Sequence, residues 1–577
     1  VADRGSSQAG PRPTPGRALW RAPLPVHLLL LLIALAAMAA LLSAPDSFAT
    51  DEGSYEIQLR ALDRGDWVWP SGTEDLDPDD SHYPVAYAEQ GDDGWVPLAK
   101  HPLWPLVGLA ASRVVGLEHA FAVLGGAAVL VAAAMAWFVG ADHGRRQARL
   151  AFWLAGLAPM AVTAGFGWAH AAAAAVAGIA LAGLVRLCRA PGRRETLIGA
   201  ALLVVGLSVG ILLRSEGILF AAAAAVALVV GGRMAGRRWR WALPAGLAVL
   251  ALTTAVVLVE AWWVDQILRS PNGALTARTG GGVVPSSFLD GRYQGATRSL
   301  LDPRGGALSL VLLATIVATA AVAVLAGRGR PAAARAWPGV LALAVALVAL
   351  RLLSQPTEPI PGLVLAWPVL LVGVAAIGDR WRQLTAELTL AVVFGGAIVA
   401  TQYPDGGAVQ WGGRFFAPLT VPLAVVAAVG LARLLAATER LAPERAVAAK
   451  LIVVAAIAVP TLLGARLAGE IRTFHTETYE AVAERVEGVA ITPDPQLPRM
   501  MWRYELPWLV VEETDDGADL TALLAHLAEE PRTPDELSLV LRAYDLPQAA
   551  RALAAVPAWT ETGRRERNGL TVVTLAR

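Results

Sequence analysis

The stretch Thr50-Asp51-Glu52-Gly53-Ser54-Tyr55-Glu56 puts two adjacent carboxylates directly after the first long apolar run of the chain. Ionised groups at a bilayer edge are costly to desolvate, so acids kept there need a partner or a task. One reading is structural, with Asp51 and Glu52 opening and capping a short helix. The other is chemical: a carboxylate in that position is a general base for a hydroxyl or an amine. The same pair of readings applies to His101, His170, Arg214, Glu216, Tyr403, Trp411 and Arg414, all at the ends of apolar runs or in the loops beside them. Arg214 and Arg414 carry planar forks that suit a phosphate or pyrophosphate. Against that, Arg214 could pair with Glu216 across a turn, and Arg414 could snorkel to headgroups. Tyr403 and Trp411 offer faces for a sugar ring, or belong to an interfacial aromatic belt. A lipid-linked phosphosugar would satisfy the whole set, with phosphate at arginine and the sugar carbon facing the acid.

The elements that must position these residues are membrane spans. The chain has 577 residues, is 55% hydrophobic and 17% charged, and has a mean hydropathy of +0.51, which excludes an ordinary soluble protein. Its net charge of +0 gives no reason to expect a nucleic-acid partner. The single cysteine, Cys188, excludes a disulfide framework and a cysteine metal site. Residues 1–23 read as a disordered basic tail, and Leu24–Ala44 as the first span. A cleaved signal peptide ending at Leu42-Ser43-Ala44 is the alternative for that run. Further runs at 119–140, 150–166, 170–188, 196–214, 215–230, 242–264, 307–327, 336–354, 361–378, 387–401, 414–432 and 450–468 bring the expected total to about thirteen spans.

Arginines sort the loops. Arg145-Arg146, Arg193-Arg194, Arg237-Arg238, Arg328 with Arg330, Arg380 with Arg382, and Arg440 with Arg445 fall on alternate connections. The positive-inside rule makes those loops and the N-terminus cytoplasmic. The loop 45–118, the hairpins at 170, 214 and 402–413, and everything after 469 are then outside. Within the first outer loop, 103–117 is too short and interrupted to cross, and reads as a surface helix. Residues 469–577 turn polar and mixed in period, which predicts a small extracytoplasmic α/β domain. Its expected elements are helices at 470–487 and 520–529 and strands at 489–492, 508–511 and 570–575. The acids of 74–80 read as a solvated run, although such a loop could also hold a divalent cation through oxygen ligands.

The order of first span, Asp51-Glu52 with Tyr55, a loop of about fifty residues, His101-Pro102-Leu103, a surface helix and many spans resembles the GT-C membrane glycosyltransferases. Within them it is most similar to the branch of protein mannosyltransferases and lipid A aminoarabinose transferases, the family 39-like enzymes. Gly144-Arg145-Arg146 followed by Leu157-Ala158-Pro159, and Gly413-Arg414-Phe415 with Pro418, add to the resemblance. The chain departs from it at Leu103, where a second proline often follows, and at Gly167-Trp168-Ala169-His170, where an Arg-Pro-Asp element often stands.

The resemblance implies a polytopic helical membrane protein of GT-C fold over 24–468. It implies Asp51 as the base that activates the acceptor, with Glu52 supporting Asp51 or the acceptor. Arg214 and Arg414 would be candidates to hold the donor phosphate, and His101 would help shape the site; Tyr55, and by their position at the outer ends His170, Glu216, Tyr403 and Trp411, are the further candidates to line the substrate. The implied donor is a polyprenyl-phosphate sugar, and the acceptor a lipid, glycan or protein of the cell envelope. No nucleotide or redox cofactor is required, and a divalent metal is left open. Two rival readings are a carrier or flippase of lipid-linked sugars and a non-catalytic envelope assembly protein. A carrier should show polar residues in mid-span and two related halves, and the sequence shows neither.

Overall fold

A computed structural model describes residues 22–85, 88–97, 101–189, 192–269, 293, 296–301, 306–355, 360, 362–401, 411–512 and 517–577. Helix α1 (Leu24–Leu41) leads into an extended turn and then α2 (Thr50–Asp63), which carries Asp51 and Glu52 in its first turn. Acidic residues are favoured there by the helix dipole. A two-stranded ribbon, β1 (Glu89–Gly91) with β2 (Gly94–Val96), precedes α3 (Leu103–Val115). At 13 residues α3 is about 20 Å long, too short to cross a hydrocarbon core of about 30 Å.

The bundle then follows as α4 (Ala120–Ala141), α5 (Arg145–Gly156), α6 (His170–Arg189), α7 (Arg193–Leu213), α8 (Glu216–Met234) and α9 (Trp239–Leu268). After the undescribed stretch it resumes with α10 (Gly306–Gly327), α11 (Pro331–Ser354), α12 (Pro368–Ala375), α13 (Thr385–Thr401), α14 (Thr420–Leu441) and α15 (Ala446–Ala483). Among the described residues 11 helices are long and apolar enough to cross a membrane, or up to 12 if the bent pair Arg145–Gly156 and Met160–Phe166 is one span.

The difference from thirteen lies at 361–378. That run breaks at Trp367 (φ −134°, ψ 63°), because Pro368 disfavours helical backbone at the residue before it. The second difference is at 469, where no new helix begins. Instead α15 continues for 38 residues from the bundle into the polar C-terminal region.

Helix α14 is the axis of the bundle, with α6 beside it; 94% and 78% of their apolar windows are buried. Alanine and glycine dominate α6 and recur along α14, which lets backbones approach closely where no hydrophobic gain separates protein from lipid. Leu29 and Ile33 of α1, and Leu247, Leu258 and Trp262 of α9, face outward instead. The arginine-rich loops gather at one end, tied together by Arg146–Glu439, Arg189–Asp142 and Arg335–Glu444 pairs. Asp51, Arg214 and Arg414 lie at the other.

The C-terminal region forms a five-stranded sheet in the order β4-β3-β5-β7-β6, from β3 (Val489–Thr492), β4 (Trp508–Val510), β5 (Glu536–Arg542), β6 (Thr560–Arg567) and β7 (Leu570–Ala576). Strand β3 runs parallel to β4 and β5, while β7 is antiparallel to β5 and β6. Helices α16 (Ala518–Glu529) and α17 (Leu546–Ala555) cover one face with Leu523, Leu524, Ala549 and Ala552. The end of α15 covers the other through Tyr479 and Val482, packed with Trp508, Val540 and Val572. The sequence reading missed β5 and β6; β6 is exposed throughout most of its length and has no apolar face to announce it.

Sheet and bundle are joined by more than α15. Leu76 of the first loop enters the sheet's core, and His82 bonds to Val510 through both backbone and ring. Asp77, within the acidic run 74–80, accepts from Ser81 and His82. Arg472 on α15 donates to Leu42 O at 2.7 Å and to Gly165 O at 3.3 Å, and also pairs with Glu52. Removing that guanidinium leaves Glu52 buried without its cation. Arg472→Met should therefore cost about 3–5 kcal/mol of stability, measurable as thermal unfolding in detergent; an unchanged midpoint would show that the pair contributes nothing.

Candidate active site

Two consecutive glycines place Arg414. Gly412 (φ +62°) and Gly413 (φ +66°) both adopt left-handed backbone, a region costly for other residues. A Cβ on Gly412 would sit 2.1 Å from Cβ of Pro159, so the turn is also closed sterically. The chain then enters a short 3-10 turn at Arg414–Leu419 that continues as α14. Arg414 Nη1 donates to Asp51 Oδ2 at 2.7 Å, joining positions 363 residues apart. Its guanidinium lies over the rings of Trp168 at 4.8 Å and Phe415 at 5.0 Å, which adds cation–π stabilisation. The Arg414 Nε is buried with no hydrogen-bond partner.

Arg214 stands in the extended link between α7 and α8 (φ −159°, ψ 142°). It grips Glu216 through both arms, Nε to Oε2 at 3.0 Å and Nη2 to Oε1 at 2.8 Å. The pairing reading of Arg214 and Glu216 is thus realised, yet the pair faces the site rather than lipid. Tyr55, one turn beyond Asp51 on α2, interacts with Arg214 and packs against Phe121. Burial pushes its hydroxyl pKa up, with Asp51 and Glu216 adding to the rise against Arg214, so the group stays protonated.

His170 opens α6 and is buried between Trp168 and Phe415, with neither ring nitrogen hydrogen-bonded. His101 lies farther round and bonds Glu260 of α9 at 3.1 Å, both side chains being buried. Trp411 is buried against Gly464 beneath the Arg414 turn. Tyr403 lies outside the described residues. Among the described residues no group of three or more His, Cys, Asp and Glu side chains is arranged to hold a metal ion.

The two adjacent acids have separate tasks. Glu52 is 8% exposed at its side chain, accepts the Phe48 N–H at 2.7 Å and pairs with Arg472, so its geometry makes it a positioning residue. Asp51 is 39% exposed and is turned to the arginines. Partial burial pulls its pKa up, but Arg414, Arg499 and Arg214 outweigh that and hold it below the ordinary carboxylate value.

Arg499 is the residue that sequence reasoning missed. It comes from the short helix Leu497–Met500 after β3, is 3% exposed, and donates to Ser54 Oγ at 3.4 Å. The backbone of α2 is pressed against it: a Cβ on Gly53 would stand 1.8 Å from Arg499 O. Gly53 and Ser54 are therefore small because the C-terminal domain docks on the first turn of α2. The only trace in the sequence is the Gly53-Ser54 pair in a helix start, which by itself does not name a partner 445 residues away.

No protein-family model and no curated protein matches the chain. Among solved structures it is similar to ArnT from Cupriavidus metallidurans in the apo state, with a TM-score of 0.55 and 15% identity over 96% of this chain and 98% of that one. It is likewise similar to the same protein bound to undecaprenyl phosphate, with a TM-score of 0.52 and 16% identity over 95% and 97%. The chain has the GT-C fold. Bundle and sheet are both included in that likeness, since coverage is nearly complete on each side.

Loss of the Arg499 charge gives a pH test. A carboxylate with a depressed folded pKa contributes stability above its unfolded value, lost as pH falls through the folded one. In Arg499→Gln the acid-side loss should begin at higher pH than in wild type, and the difference should vanish in an Asp51→Asn background. Thermal midpoints measured across acidic pH check this; identical acid limbs would remove Arg499 from the charge balance.

Proposed function

We propose that the protein is a membrane glycosyltransferase that moves a sugar from a polyprenyl-phosphate donor to a cell-envelope acceptor, with Asp51 as general base. The observation that carries this reading is the Asp51–Arg414 pair, flanked by Arg214 and by an unpartnered His170 at one end of a bundle of spans. The GT-C fold supports it, and ArnT has been solved with undecaprenyl phosphate bound.

In this reading the donor lipid lies among the spans and its phosphate engages Arg414 and Arg214. A phosphate competing for Arg414 weakens the hold on Asp51, raises its basicity and turns it toward the acceptor. The acceptor hydroxyl or amine attacks the anomeric carbon and gives its proton to Asp51. The bond from that carbon to the phosphate oxygen breaks, and polyprenyl phosphate leaves with its charge met by arginine. Attack opposite the leaving group inverts the anomeric carbon. His170 supplies a neutral hydrogen-bonding group to the same substrate, and Tyr55 a protonated hydroxyl. Trp411 belongs to the wall of the sugar site, and His101 with Glu260 closes its far side.

The arginine-rich loops mark the cytoplasmic end, so transfer takes place on the outer face and the C-terminal sheet is extracytoplasmic.

Purified protein given a panel of polyprenyl-phosphate sugars and envelope extract should release polyprenyl phosphate. Asp51→Asn should lower turnover by about 10²-fold or more while donor binding persists. Arg414→Gln should chiefly weaken donor binding, read as a higher KM. Donor bound without release by wild type, or full turnover by Asp51→Asn, would overturn the reading.

A further inference from the structure

A second polar cavity lies at the opposite end of the bundle. It has a volume of about 380 Å³, opens to the surface, and is lined by the start of α5, the 378–384 turn before α13, and the second half of α14. Arg433 stands thirteen residues beyond Thr420 on α14, about 20 Å along the axis from the Arg414 turn. The two sites are therefore separate.

Three guanidinium groups, Arg380, Arg433 and Arg440, line this cavity with His143, Gln147 and Gln383; Asp379 is the one carboxylate of its wall. Arg433 is fixed, donating to Ile377 O at 2.9 Å, Gly327 O at 3.1 Å and Asp379 at 2.5 Å. Arg380 spends one arm on Gln383 Oε1 at 3.0 Å, and Arg440 only its Nε on Ala436 O at 3.3 Å. Each guanidinium has five N–H donors, so most of their capacity is left for something in the cavity. His143 also lines the cavity, with its side chain 7% exposed and its Nε2 turned to the Glu387 carboxylate at 3.9 Å. Arg189 at 3.5 Å offsets Glu387, so that acid does not cancel the positive wall.

We propose that this cavity binds a phosphate-bearing anion. A polar recess of this size takes a headgroup-sized ligand. Planar guanidinium forks match phosphate oxygens, and basic pockets between membrane helices are a known way to hold anionic head groups. The ligand's chemistry is a phosphate mono- or diester, which a lipid headgroup or a soluble phosphate would present alike. The site makes no use of Asp51 and stands whether or not the transferase reading does.

The test uses the full chain in detergent. Thermal midpoints are followed during titration with short-chain phosphatidylglycerol, with matched phosphatidylcholine, and with inorganic phosphate. Phosphatidylglycerol should stabilise saturably and phosphatidylcholine should not. The double variant Arg380→Gln/Arg440→Gln should weaken that response by about tenfold or more. Gln147→Trp, which fills the cavity and keeps its charge, should weaken it too. Saturable stabilisation by inorganic phosphate that is lost in the same variants supports the site with a soluble ligand. No difference between the two lipids with no effect of phosphate, or wild-type binding in both variants, overturns the proposal.

Discussion

Ionised side chains at the end of a membrane bundle persist only in mutual compensation, and at the Asp51 end they are compensated in pairs. Arg414 meets Asp51, Arg214 meets Glu216, and Arg472 meets Glu52. Each pair joins elements distant in the chain or fixes a break between two spans. In low dielectric a lone charge of this kind is strongly unfavourable, while the paired one is tolerated and holds its neighbours in register. The arrangement explains why three arginines and three acids gather where the chain is otherwise alanine, leucine and valine.

The same compensation divides the labour of adjacent acids. Glu52 is buried between Phe48 N–H and Arg472 and locks α2 to α15. Asp51, one residue earlier, is turned about a hundred degrees round the helix and faces Arg414 instead. A single helical step thus separates a carboxylate locked between α2 and α15 from one that faces the arginines. The C-terminal domain takes part in this, because Arg499 and its backbone bear on Gly53 and Ser54. The sheet is not an appendage to the bundle. Its position sets the position of α2, and through α2 the position of Asp51.

At the far end the charge logic differs. Arg146 and Arg335 pair with Glu439 and Glu444 near the surface and hold loops together, which costs little and gains little, while Arg189 bridges the exposed Asp142 and the buried Glu387. Arg380 and Arg440 beside the cavity have only local acceptors. Two polar sites of different character therefore sit at the ends of α14, the most buried helix of the bundle.

Much of this was legible in the sequence. Hydropathy alone required a polytopic helical membrane protein, since apolar runs of such length have no other stable solution. The alternation of arginine loops sorted the ends, and the polar residues Asp51, His170, Arg214, Glu216 and Arg414 gathered at one of them. Local signals also gave α3, β3, β4, α16 and β7. The run at 361–378 is broken at Trp367, a break before Pro368 that composition does not register, and β6 was missed because an exposed edge strand needs no apolar face. What only the tertiary structure decided was partnership. Which acid meets which arginine, that His101 meets Glu260, and that Arg499 closes on α2 depend on contacts between residues tens to hundreds of positions apart. Periodicity and propensity are local, and they carry no information about such pairs.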